Sequence, residues 1–235
     1  MISKIKIIVI LSVALFQSLY GQKISNIDFD EIKLAIQDSS SIYYYPLLIE
    51  RYQQFDTTFT EREYKYIYYG NIYSDRYNPY GMTGNDNGIK FFDLFKQGKF
   101  DEAIPYGQEI INENPVNLRI LFRILVCYHN LGDRQSAQKY ANMYFPLLDV
   151  IYNSGDGKSI KTAFVVVSGH DEYEILNDLE LTRTAQALIG QTDVLTINTK
   201  GQKTKRGQKK IKELYFDVSK PLSWLHFGRQ FEKED

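Results

Sequence analysis

Two stretches of the chain repeat each other at a spacing of 34 residues. Leu94, Gly98, Ala103 and Tyr106 are answered by Tyr128, Gly132, Ala137 and Tyr140. A repeat of this length is one pair of helices that cannot bury its apolar face alone, so neighbouring pairs must stack. The spacing therefore demands a mainly helical fold and favours surfaces over enclosed active sites.

The period, the glycine at each helix turn and the alanine inside each second helix are those of tetratricopeptide helix pairs. Pro115 stands where one unit ends and the next begins. Leu118, Leu121, Ile124, Leu125 and Tyr128 give the following helix a strong apolar face. Departures are also visible. Gly107 and Ile110 replace the residues expected there, and Pro105 stands inside a helix it should kink. A loop rich in Gly, Asn, Asp and Pro is expected over 75–88, which leaves the first pair without a full leading helix.

The N-terminus reads as a targeting segment. Lys4 and Lys6 precede an uncharged, mostly apolar run from Ile7 to Phe16, too short to span a bilayer, and Gly21 offers a small residue for cleavage. Removal of 1–21 leaves 26 basic and 29 acidic residues, a formal charge of −3 that argues against nucleic acid as an obligate partner. No later segment reads as transmembrane. The sole cysteine, Cys127, falls mid-helix and is expected to be a buried, unreactive thiol.

Before the repeats, helices are expected over 26–37, over 47–55 after Pro46, and over 61–72. Thr60 and Glu63 form a capping box at the start of the last of these. After Tyr152 the pattern changes. Ala163–Ser168, Val194–Asn198 and Glu213–Val218 have strand character, His170–Leu179 reads as a short helix, and Ser219 can cap a last one. Together these suggest a small antiparallel sheet packed on the helical array.

With these residues in view, the chain resembles domain-of-unknown-function family 4919 of exported Bacteroidota proteins. The likeness rests on YYYPLLIERYQQFDTTFTEREYKYIYYG, NPYG, GDGKSIKTAFVVVSGHDEY, DVLTINT and LYFDVSKPL. The resemblance implies a signal peptide and a tetratricopeptide-like core, and brings no activity, substrate or catalytic residue with it.

Tyrosine is the compositional outlier, with 19 in the chain, crowded between Tyr43 and Tyr80. In the helix after Thr60 they stand at 64, 66, 68, 69 and 73, so their rings point to more than one face. One packed face should not absorb them all. Tyr64, Tyr66, Tyr69 and Tyr73 are thus candidates for a groove that takes a peptide or glycan. The alternative packs them between helices with hydroxyls at the rim.

Other motifs carry less. Gly155-Asp-Gly-Lys-Ser159 lacks the glycine a phosphate loop needs at position 152, where Tyr152 stands, so it reads as a turn held by Asp156. Asn85-Asp-Asn-Gly88 lacks the distal glutamate of a calcium loop. His129, His170 and His226 have no ligand-like spacing, so neither metal nor cofactor is expected. The basic run Lys200, Lys203, Lys205, Arg206, Lys209, Lys210 and Lys212 reads as a solvated hairpin loop or as a contact for an anionic surface.

The expected organisation is a signal peptide over 1–21, a Tyr-rich helical region and loop over 22–88, tetratricopeptide-like pairs over 89–152, and a small α+β element over 153–235 on the same core. The expected role is a non-enzymatic protein- or peptide-binding scaffold of the cell envelope. The alternative is an envelope glycan-binding accessory protein or hydrolase using Asp171, Glu172 or Glu174 at a cleft.

Overall fold

The computed structural model of the chain describes residues 27–81, 86–202 and 209–231. The leader expected over 1–21 lies outside them, as do Asn85, Lys203, Lys205 and Arg206, and the side chain of His226.

Three short helices come first. α1 (Phe29–Gln37) starts at Asp28, whose carboxylate accepts the Glu31 amide. α2 (Tyr45–Gln53) carries Pro46 in its first turn, where an amide would go unpaired anyway. α3 (Glu61–Gly70) opens with both halves of the capping box, and the Thr60 amide donates to Glu63 Oε2 at 2.8 Å. A 3₁₀ turn, Asn71–Tyr73, ends it.

Four longer helices follow: α4 (Asp86–Lys96), α5 (Phe100–Glu113), α6 (Leu118–Asn130) and α7 (Arg134–Ser154). Each packs on the next in chain order. The α4–α5 and α6–α7 turns place Gly98 (φ 74°) and Gly132 (φ 77°) in the left-handed region that a side chain resists.

The loop expected up to Gly88 is shorter than the sequence suggested. Gly88 is a buried residue of α4, and the apolar spacing of Phe91, Phe92, Leu94 and Phe95 carries the helix across it. Gly107 also has its reason: a Cβ there would stand 2.7 Å from the Phe91 ring and 2.9 Å from Ile124, where α4, α5 and α6 converge.

α7 runs through Pro146, which offers no amide to the Asn142 carbonyl four residues back. Two tyrosines from the N-terminal helices supply donors there. Tyr64 Oη donates to Asn142 O at 3.4 Å and Tyr52 Oη to Met143 O at 2.9 Å.

The C-terminal part comprises β1 (Phe164–Val165), α8 (Asp171–Asp178), β2 (Arg183–Ile189), β3 (Thr192–Ile197), β4 (Glu213–Asp217) and α9 (Ser219–Phe231). The sheet order is β1-β4-β3-β2. It is mixed rather than antiparallel as expected, because β1 pairs parallel with β4 while β4, β3 and β2 pair antiparallel. No periodic signal marks β2, whose seven residues are all exposed and so carry no alternating pattern.

β1 is an edge strand, yet side chains close its outer side. Val165 N donates to Ser154 Oγ (2.8 Å) and Val165 O accepts from Tyr69 Oη (3.1 Å). Val167 N donates to Tyr68 Oη (3.3 Å) and Val167 O accepts from Tyr77 Oη (2.7 Å). Phenol hydroxyls thus stand where a further strand would otherwise pair. One continuous core runs from Ile32 and Leu48 through Leu121 and Leu147 to Leu195 and Phe216. Lys220 of α9 sits 4.1 Å over the Phe29 ring of α1, so the first and last helices meet.

Candidate functional site

α3 is surrounded. It packs on α1, α2 and α7, and its tyrosines also reach the segment after β1. Tyr66, Tyr68 and Tyr69 are fully buried and Tyr64 nearly so, because a helix enclosed by neighbours can bury aromatic rings on several faces. The expectation that packing could not absorb the tyrosines gives way here. Tyr66 Oη donates to Glu31 (2.7 Å) and accepts from Arg62, and the half-buried Tyr73 donates to Phe29 O (2.9 Å).

A groove of about 740 Å³ nonetheless runs between the start of α1, α3 and α7. Two of the four candidate tyrosines, Tyr64 and Tyr69, line it together with Phe59, Pro146 and Val150. Its rim carries Glu31, Glu61 and Asp149 alongside Arg62 and Lys65. Tyr66 and Tyr73 do not line it; Tyr66 reaches it through its hydrogen bonds with Glu31 and Arg62.

A second concavity lies where the loop after α3 meets the start of α6 and the turn into α8. Its outer chamber holds about 580 Å³ and is lined by Arg76, Asn78, Glu113, Asn114 and Asn117. It leads to an inner niche of about 20 Å³, where Asn71, Ser168, His170 and Asp171 meet Asn78 and Asn114. These asparagines lie in unrelated segments, so no sequence spacing marks them as a group.

The three acids of the first turn of α8 are all buried, and they part company. Glu174 is held by Arg123 at 3.1 Å. Burial, then the charge of Asp193 and a hydrogen bond shared with it, push the Glu172 carboxyl up to about 9. Asp171 alone of the three lines the cleft; burial raises it to about 7, against the hydrogen bond from Tyr68 (2.6 Å). Burial, with Arg119 and Arg123 nearby, lowers the neighbouring His170.

The remaining candidates fall into place. Cys127 is buried and its thiol is pushed up to about 11 by that burial, far from the thiolate range a reactive cysteine needs. Asp156 accepts the Lys158 amide at 3.1 Å, as the turn reading of that glycine segment requires. Asp86–Gly88 open α4 instead of forming a cation loop. The described residues contain no group of three His, Cys, Asp or Glu side chains placed to hold a metal ion. No described helix is long and apolar enough to cross a membrane. Lys200 and Lys209 flank a depression of about 300 Å³ at the base of the β3–β4 hairpin.

Neither a curated protein nor a solved structure matches the chain. A family model described as a domain of unknown function, DUF4919, matches residues 30–226. That span takes in the described helices and strands except Phe29 at the start of α1 and the last five residues of α9, and the chain belongs to the DUF4919 family.

Proposed function

We propose that the protein is an exported, non-enzymatic scaffold of the Bacteroidota cell envelope that binds a protein or peptide segment. It would act in the periplasm or outside the cell once residues 1–21 are removed. The charged and apolar runs of the leader support export. The 34-residue period and its two left-handed glycines support a tetratricopeptide-like array.

The observation that carries the reading is the groove beside α3. Its walls combine apolar rings, Phe59, Tyr64 and Tyr69, with carboxylates and cations along the rim. An extended peptide of mixed charge matches that lining. Apolar side chains reach the rings, and charged ones pair at the rim, where they set register and partner choice more than raw affinity. Of the four candidate tyrosines, Tyr64 would contact the partner through its exposed edge, and the fully buried Tyr66 and Tyr69, with Tyr73, would hold the walls.

The test is crosslinking capture of the chain in its own cell envelope, read by mass spectrometry. The double reversal Lys65→Glu with Asp149→Lys changes only groove charges. It is expected to cut recovery of the dominant partner tenfold or more. Recovery at the wild-type level would contradict the groove as the binding face.

A further inference from the structure

The asparagine-lined cleft shares no lining residue with the groove, so what it does is a separate question. Its polar groups are mixed in kind. Asn78 Oδ1 accepts from the Tyr80 amide (3.2 Å), so Asn78 has its NH₂ group to offer as a donor. Asn114 offers the reverse: its Oδ1 is a buried acceptor with no hydrogen-bond partner among the described residues. The Asp171 carboxyl, 3% exposed and tied through one oxygen to Tyr68, adds a further acceptor.

We propose that this cleft is a binding site for a neutral saccharide, with one hydroxyl in the inner niche and the sugar ring in the outer chamber. A hydroxyl group donates one hydrogen bond and accepts others, so hydroxyls on adjacent ring carbons complement a wall on which amide donors and carboxyl or carbonyl acceptors alternate. The sizes agree with that division. The niche of about 20 Å³ admits a group the size of a water, and the chamber of about 580 Å³ lies in the range of small-molecule pockets, about 300–1,000 Å³.

The charges agree as well. Arg76 and Glu113 both line the outer chamber, so neither an anion nor a cation finds a single-sign field there. The buried Asn114 acceptor gives the ligand a reason to bind, since an unpaired buried oxygen costs free energy that an incoming O–H recovers. The proposal stands apart from the peptide reading and survives or falls without it.

Saturation-transfer NMR on the purified chain tests it, with maltose, cellobiose and chitobiose as probes and glutamate as a charged control. At least one disaccharide is expected to show transfer. Asn114→Ala and Asn78→Ala should each weaken its affinity tenfold or more, while the groove variant Lys65→Glu leaves it unchanged. Asn78 is exposed, so its truncation keeps the fold and isolates binding. The proposal is overturned if no disaccharide shows transfer, if affinity stays within twofold of wild type in the Asn78 variant, or if glutamate binds in place of the sugars.

Discussion

At the scale of single residues, the protein's unusual chemistry is in its tyrosines and its buried acids. Hydroxyls of Tyr45, Tyr52, Tyr64, Tyr69, Tyr73 and Tyr77 all donate to backbone carbonyls in other elements. Each such bond contributes about 1 kcal/mol net and leaves the ring available for packing. Glu172 behaves differently. Its ordinary carboxyl value is 4.5 and burial beside Asp193 raises it to about 9, so the folded chain keeps a proton that the unfolded chain releases. The stability tied to that proton is complete below pH 4.5 and is lost as pH rises towards 9. Asp171, raised from 3.8 to about 7, loses its share over the lower part of the same window. Thermal unfolding should therefore show a melting temperature that falls between pH 5 and pH 8.5. Glu172→Gln, which cannot ionise, should flatten the upper part of that fall and stabilise the chain at pH 8.5 by about 1–3 kcal/mol. An unchanged pH profile in this variant would remove Glu172 from the account.

At the scale of elements, Gly107 and Gly98 separate two uses of glycine. Alanine at 107 would press a methyl onto Phe91 and Ile124 where three helices converge, and overpacking of this kind costs about 1–3 kcal/mol. Alanine at 98 meets nothing within 4 Å and costs only the left-handed backbone strain, about 1 kcal/mol. Urea unfolding of both variants should show Gly107→Ala as the more destabilised, and the reverse order would contradict the packing described. What was legible in the sequence at this scale is local: the Thr60–Glu63 box, Pro46 in a first turn, and the two turn glycines 34 residues apart. What was not legible depends on distant partners. α3 buries tyrosines on several faces only because α1, α2, α7 and the β1 segment enclose it. β1 is parallel to β4 across some fifty residues of intervening chain, and β2 lies at the sheet edge with neither face covered. The cleft was hidden for the same reason, since its asparagines come together only in the folded chain.

At the scale of the whole molecule, the helical array and the sheet are one body. Tyr68, Tyr69 and Tyr77 bind the backbone after Ala163, the core passes without a break from α1 to β4, and α9 returns to α1 through Lys220 and Phe29. That seam holds walls of both the groove and the cleft, so the two keep their shape only if it is a shared core rather than a contact between separable parts. The sole tryptophan, Trp224, lies in α9 with its ring 6.1 Å from Tyr80, and it reports on the C-terminal side of the seam. Helix ellipticity reports chiefly on the array. The decisive measurement is a urea titration of the chain followed by both signals. Coincident midpoints and slopes are predicted. Two separated transitions, with Trp224 released while the helices remain, would contradict the single shared core.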